Sequence, residues 1–123
     1  VPHVVVLVED VEAVDLERRG PALRHDLSFA RGANVNFVSK GTQGRWRMRT
    51  YERGVEAETL ACGTGSVAAA VLLESWGLSE SATTIETSSG KTLVATVSHS
   101  GRAIATSLRG EGRLVFFGEL AEA

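Results

Sequence analysis

Along most of this chain apolar and polar residues alternate, and over one short stretch the alternation stops. That contrast organises the reading. The segment HVVVLVED, His3 to Asp10, is rich in valine and bounded by acidic residues, which predicts a well-buried strand. ANVNFVSKG alternates as a second strand and ends at Gly41. GRWRMRTYER alternates more cleanly, with Trp46, Met48 and Thr50 on one face and Arg45, Arg47, Arg49 and Tyr51 on the other. It predicts a strand with one solvated face, entered through a hairpin turn at Thr42, Gln43 and Gly44. Between the first two strands, Val11, Val14, Leu16 and Leu23 fit two short helical pieces separated by a break at Gly20-Pro21.

The alternation stops in GSVAAAVLLESWG. From Val67 to Leu73 every residue is apolar, and the alanines and leucines favour a helix that Gly77 would end. A helix apolar on nearly all sides has to be buried on nearly all sides. The remainder, from Thr83 to Leu120, reads as strands punctuated by Gly90, Gly101, Gly110 and Gly112, an antiparallel meander. The predicted fold is therefore α+β: a curved, mostly antiparallel sheet or barrel wrapped around one central buried helix.

Composition narrows the function classes. With 123 residues the chain suits one domain. A net charge of −2, with basic residues interspersed among acidic ones, offers no phosphate-tracking stripe and argues against nucleic acid as a partner. No apolar run reaches the roughly 20 residues that span a bilayer, and no signal peptide is visible, so no membrane partner is expected. A single cysteine, Cys62, forms no internal disulfide and suggests a reducing compartment, the cytoplasm.

Most lone cysteines are small buried hydrophobes, but the surroundings of Cys62 argue for chemistry. It lies immediately ahead of the apolar helix, where unpaired N–H groups and the positive end of the helix dipole favour an anion. Gly63 and Gly65 let a ligand approach the backbone closely, and Thr64 or Ser66 could cap the helix. Three other features are weaker alone. Glu52 and Arg53 close a strand, His3 starts one, and Asn34 and Asn36 share a strand face; each is commonly structural. A cysteine hydrolase would need a Cys–His motif, and none has supporting spacing.

Together, the ERG at Glu52–Gly54 and ETLACGTG ahead of an alanine-rich helix resemble the C-terminal domain of diaminopimelate epimerases. VPHVVVLVED is similar to that family's Pro-His strand, GANVNFV to its NVNFV segment, and Gly20-Pro21 with His25 fits as well. The resemblance covers essentially the whole chain. It implies racemisation at the α-carbon of an amino acid without pyridoxal phosphate, metal or other cofactor. Two cysteines on opposite sides of the substrate do the work, one removing the α-proton as thiolate and the other donating a proton.

On this resemblance Cys62 matches the cysteine of the second domain. The N–H groups of Gly63 and Thr64 would bind the reacting carboxylate. Asn34, Glu52 and Arg53 match residues holding the distal end of the substrate, for which the planar fork of Arg53 suits a carboxylate. Glu52 and His3 match polar residues beside the two thiols, with Glu52 preferred as the partner of Cys62 in proton transfer.

There are departures. The run Val55 to Thr59 is one residue longer than the family's usual spacing, and Val1 stands where many members carry asparagine. No second cysteine is present. The expectation is thus that residues 1–123 form a C-terminal catalytic domain acting on LL- and meso-diaminopimelate with an N-terminal domain that this chain lacks, and inactive in isolation. A homodimer using two copies of Cys62, a module that binds a carboxylate without catalysis, and a relative acting on another amino acid are the alternatives.

Overall fold

In the computed structural model, residues 1–121 are described. The elements in order are β1 (His3–Leu7), a single 3-10 turn (Val11–Ala13), α1 (Leu16–Arg24), β2 (Asn34–Lys40), β3 (Trp46–Glu52), β4 (Ala57–Thr59), α2 (Gly63–Ser75), β5 (Ala82–Glu86), β6 (Thr92–Ser100) and β7 (Ala103–Arg109). The strands form one sheet in the order β1-β2-β3-β5-β6-β7, with β4 added to β3. Four of the pairings are antiparallel, while β1 with β2 and β3 with β5 are parallel. The curled, mostly antiparallel sheet packed on α2 is the fold expected, with the parallel pairs making it mixed.

Alternation places the core on both sides of this sheet. Val38, Trp46, Met48 and Ile85 pack with Ala69 and Leu73 of α2. On the other side, Val35, Phe37 and Tyr51 pack with Val11 and Leu16 of the 3-10 turn and α1. Consequently β2 is buried on both faces from Asn34 to Ser39. The face of β3 bearing Tyr51 is likewise not fully solvated as expected. Tyr51 is buried, because α1 lies across it.

The break predicted at Gly20-Pro21 does not occur: α1 runs through Pro21. Proline forfeits the hydrogen bond to the carbonyl four residues back, here that of exposed Glu17 in the first turn. Gly20 is required for packing, since a Cβ there would lie 2.6 Å from the Tyr51 ring. The hairpin turn is as expected. Gln43 and Gly44 both have positive φ, 57° and 73°, and the Arg45 N–H donates to the Thr42 carbonyl at 3.0 Å, the geometry of a tight type I′ connection.

Helix α2 begins at Gly63, so its N-cap is Cys62 itself and not Thr64 or Ser66. Its end is a Schellman motif, with Gly77 N–H donating to Glu74 and Leu78 N–H to Leu73. Only one face is fully buried, along Gly65, Ser66, Ala69, Ala70 and Leu73; Val67, Ala68, Val71 and Leu72 are half-buried. Burial on nearly all sides is therefore not reached, because the sheet covers α2 from one side.

Two edges depart from the sequence reading in the same way. β1 stops at Leu7, and its valines are half-buried, not well buried, because it is the edge strand of the sheet. At the other edge β7 is exposed throughout, and from Gly110 to Ala121 the chain forms no strand. Val115 and Phe116 are each 83% exposed. Their alternation fits a strand, but within the described residues no strand edge pairs with them.

Candidate active site

The parallel register of β1 and β2 sets His3 beside Asn34, and the antiparallel register of β2 and β3 sets Val35 beside Tyr51. The start of β1, the start of β2 and the end of β3 therefore meet at one end of the sheet. His3, Asn34, Glu52 and Arg53 are brought to that end by register, although they are far apart in sequence. The N-terminus of α2 arrives at the same end.

Cys62 is in extended conformation (φ −139°, ψ 107°), which turns its side chain back over the first turn of the helix. Its sulfur accepts the Gly65 N–H at 3.3 Å and lies 3.7 Å from the Thr64 hydroxyl. The Cys62 carbonyl accepts both the N–H of Ser66 and its hydroxyl, each at 2.9 Å, fixing the cap from behind. The thiol is nearly buried, with the residue 8% exposed. Gly65 is needed by close approach: a Cβ there would meet Asn36 Oδ1 at 2.4 Å and the sulfur at 3.1 Å. The N–H groups of Gly63 and Thr64 belong to the first turn, where helix geometry supplies no carbonyl partner. They and the helix dipole suit an anion beside the sulfur.

His3 joins this group through the Thr64 hydroxyl, 3.0 Å from its Nε2. Its other ring nitrogen, Nδ1, is 3.2 Å from Nδ2 of Asn36. Burial holds the imidazole below its ordinary pKa, and the Glu52 carboxylate opposes it. Glu52 thus bears on His3 through the field between them. The described contacts of the Cys62 sulfur are instead with Thr64 and Gly65.

Asn34 and Arg53 form a neighbouring pair. Asn34 is buried and its Oδ1 accepts the Arg53 N–H at 2.7 Å. The Arg53 guanidinium donates to the Arg31 carbonyl at 3.1 Å. The longer run after Arg53 is absorbed by a turn with Gly54 and Glu56 at positive φ, 92° and 59°, and by β4. Glu56 there receives a two-oxygen contact from Arg24. Clefts along α1 and β4, lined by Asp15, Glu17, Arg49, Tyr51 and Glu56, include none of the residues around Cys62.

Two members of the cluster were not singled out as site residues from sequence. In the sequence Asn36 shares a strand face with Asn34, where amides are commonly structural, and Thr50 shares the face of Trp46 and Met48. Both are buried, and Thr50 donates to Asn36 Oδ1 at 2.9 Å. The available signal was their position. On the strand faces that elsewhere carry Val38, Met48 and Trp46, a polar side chain needs a buried partner. Among the described residues, no group of three or more His, Cys, Asp or Glu is placed to hold a metal ion, and no helix is long and apolar enough to cross a membrane.

The diaminopimelate epimerase family model matches residues 1–115. A diaminopimelate epimerase of Gemmatimonas aurantiaca is 56% identical over 98% of this chain and 47% of its own length. That of Aquifex aeolicus is 44% identical over 99% of this chain and 44% of its own. The chain thus spans less than half the length of these relatives. Among solved structures, a phenazine biosynthesis protein of the PhzF family from Enterococcus faecalis superposes with a TM-score of 0.57. It is 18% identical and covers 75% of this chain and 32% of its own. A putative PhzC/PhzF protein from Clostridium difficile gives 0.54 at 20% identity, over 76% of this chain and 36% of that one. These two establish likeness of fold.

Proposed function

The chain belongs to the diaminopimelate epimerase family, and from that premise we propose that it supplies one half of a two-thiol site that inverts the α-carbon of diaminopimelate. The observation that carries the reading is the meeting of Cys62, the open first turn of α2 and His3 at one end of the sheet.

The substrate carboxylate binds the N–H groups of Gly63 and Thr64. Cys62, as thiolate, takes the α-proton: the C–H bond breaks, an S–H bond forms, and the electron pair spreads into the held carboxylate. Preorganised N–H donors stabilise that developing charge. A second thiol on the opposite face delivers a proton to the planar carbon, and in the reverse direction the two exchange roles. Cys62 is the chain's only cysteine, so the second thiol comes from elsewhere. We assign it to an N-terminal domain of the full-length protein, in which residues 1–123 form the C-terminal catalytic domain. Arg53 and Asn34, at the same end of the sheet, receive the distal amino-acid end, with Glu52 beside them at the end of β3. No cofactor takes part, and the work is done in the cytoplasm on a precursor of lysine and the cell wall.

The test is incorporation of solvent deuterium at the α-carbon of diaminopimelate by the full-length protein. Replacing Cys62→Ala should lower it at least about a hundredfold, the least expected from loss of a positioned acid or base. Unchanged exchange would overturn the assignment. The single cysteine also favours a second arrangement, a homodimer pairing two copies of Cys62. Sedimentation separates them, since this arrangement requires turnover by a dimer of the 123-residue chain.

A further inference from the structure

Asn36 has two donors and one acceptor on its amide, and its surroundings use all of them. Nδ2 donates to the Val4 carbonyl at 3.1 Å, and a carbonyl can only accept. That contact fixes which end of the amide is nitrogen. Oδ1 at the other end accepts from the Thr50 hydroxyl at 2.9 Å. The second Nδ2 hydrogen then faces Nδ1 of His3 at 3.2 Å, and that nitrogen has to offer its lone pair. Asn36 and Thr50 are 0% and 2% exposed, so water does not substitute for either.

We propose that Asn36 is a positioning residue that sets the tautomer of His3, holding Nδ1 bare and the proton on Nε2. The consequence runs outward to the sulfur. Nε2–H donates to Thr64 Oγ1, 3.0 Å away. With its oxygen so occupied, the Thr64 hydroxyl turns its own hydrogen toward the Cys62 sulfur, 3.7 Å away. The sulfur then receives Thr64 O–H and Gly65 N–H together, an arrangement made for a sulfur bearing negative charge. His3 in this state is a donor at the end of a relay and not the acceptor of the cysteine proton. The opposite tautomer would place two hydrogens between Nδ1 and Nδ2 and reverse the Thr64 hydroxyl. The role in catalysis rests on the two-thiol reading above; the tautomer itself does not.

The experiment is nitrogen-15 NMR of histidine-labelled full-length protein. Two-bond couplings in each imidazole report which ring nitrogen carries hydrogen, and the signals that disappear in His3→Gln are those of His3. The expected result is the Nε2–H form for neutral His3. Asn36→Asp replaces the donor by a carboxylate, which calls for a proton on Nδ1. Titrated beside its other charged neighbour, Glu52, His3 in this variant should hold both protons to a pH higher by about one unit or more. Finding the Nδ1–H form in the unsubstituted protein overturns the proposal, with no variant needed. So does an Asn36→Asp protein in which the tautomer and titration of His3 are unchanged. Deuterium exchange measured on the same samples keeps the two ideas apart. Failure of the two-thiol reading abolishes the dependence of exchange on Cys62 but leaves the His3 tautomer where it is.

Discussion

On the side of the sheet that meets α1, β2 presents Val35 and Phe37, which pack with Val11, Leu16 and Tyr51, and Arg19 lies over the Phe37 ring, 5.1 Å from its centre. On the side that meets α2, the same strand presents Asn34, Asn36 and then Val38. Polar and apolar layers divide along this second side. Around Leu73, toward the C-terminal end of α2, the neighbours are Val38, Trp46, Met48 and Ile85. Around the N-terminal end they are His3, Asn36 and Thr50, all joined by hydrogen bonds. One side uses burial to hold the fold together. The other gives up apolar contact over half its length to hold a thiol, a hydroxyl and an imidazole in fixed geometry.

Substitutions should therefore separate stability from site geometry according to the side they strike. The largest effect on stability is expected for Phe37→Ala, a fully buried ring whose loss typically costs about 3–5 kcal/mol. Urea unfolding measures it, and full-length protein carrying this change that stays folded should keep the α-proton exchange proposed above. Gly65→Ala is the counterpart on the α2 side. Its Cβ would meet Asn36 Oδ1 at 2.4 Å and the Cys62 sulfur at 3.1 Å, a clash costing roughly 1–3 kcal/mol. Here exchange should fall far more than stability, about a hundredfold for a sulfur displaced by about an ångström. Equal losses of exchange per folded molecule in the two variants would erase the division.

What could be read from the sequence follows the same line. Cys62 and Gly63 were recognisable at the start of the buried helix because a helix start is local, although the cap itself was expected at Thr64 or Ser66 and is Cys62. Trp46, Met48 and Thr50 were placed on one face because alternation is local too. Tyr51, Pro21 and the two exposed edges were not, since each depends on which element lies across it. Nothing near Tyr51 in the sequence announces that α1 covers it, and a valine-rich strand looks the same at an edge as at the centre. Asn36 was visible as a residue, but its role was hidden, because its partners His3, Val4 and Thr50 come from two other strands.

A smaller test strikes the polar half of the α2 side without steric change. Thr50→Val removes the donor to Asn36 Oδ1 and leaves a buried acceptor unpaired, at a cost on the order of 1–2 kcal/mol. Thr50→Ser keeps the hydroxyl and should recover most of it by thermal unfolding. If valine proves as stable as the unsubstituted protein, the Asn36 amide is not held by Thr50, and the buried network is weaker than its geometry implies.

The smallest effect is expected at the rim, where pH distinguishes the sides. Glu58 receives both a nitrogen of Arg49 at 2.8 Å and its Nε at 3.0 Å. The hydrogen bonds from Arg49 hold its carboxyl below the usual range; burial opposes them, and a lesser hydrogen bond from Ser88 adds to the lowering. A lowered acid contributes stability that is present above the unfolded carboxylate value, about 4.3, and is lost as pH falls through the lower folded value. Because the pair is partly exposed, with side chains 20% and 32% accessible, the contribution should be about 1 kcal/mol or less and weaken in salt. His3 works in a separate window. Its lowered pKa means that the unfolded chain takes up protons first, so stability declines as pH drops below the ordinary histidine value of about 6.5. Glu58→Gln should remove only the strongly acidic part of the stability–pH curve, and His3→Gln only the part nearer neutrality. A curve in which either substitution flattens both parts would mean that the rim and the site do not titrate independently, and the two sides of the sheet would have to be treated as one electrostatic unit.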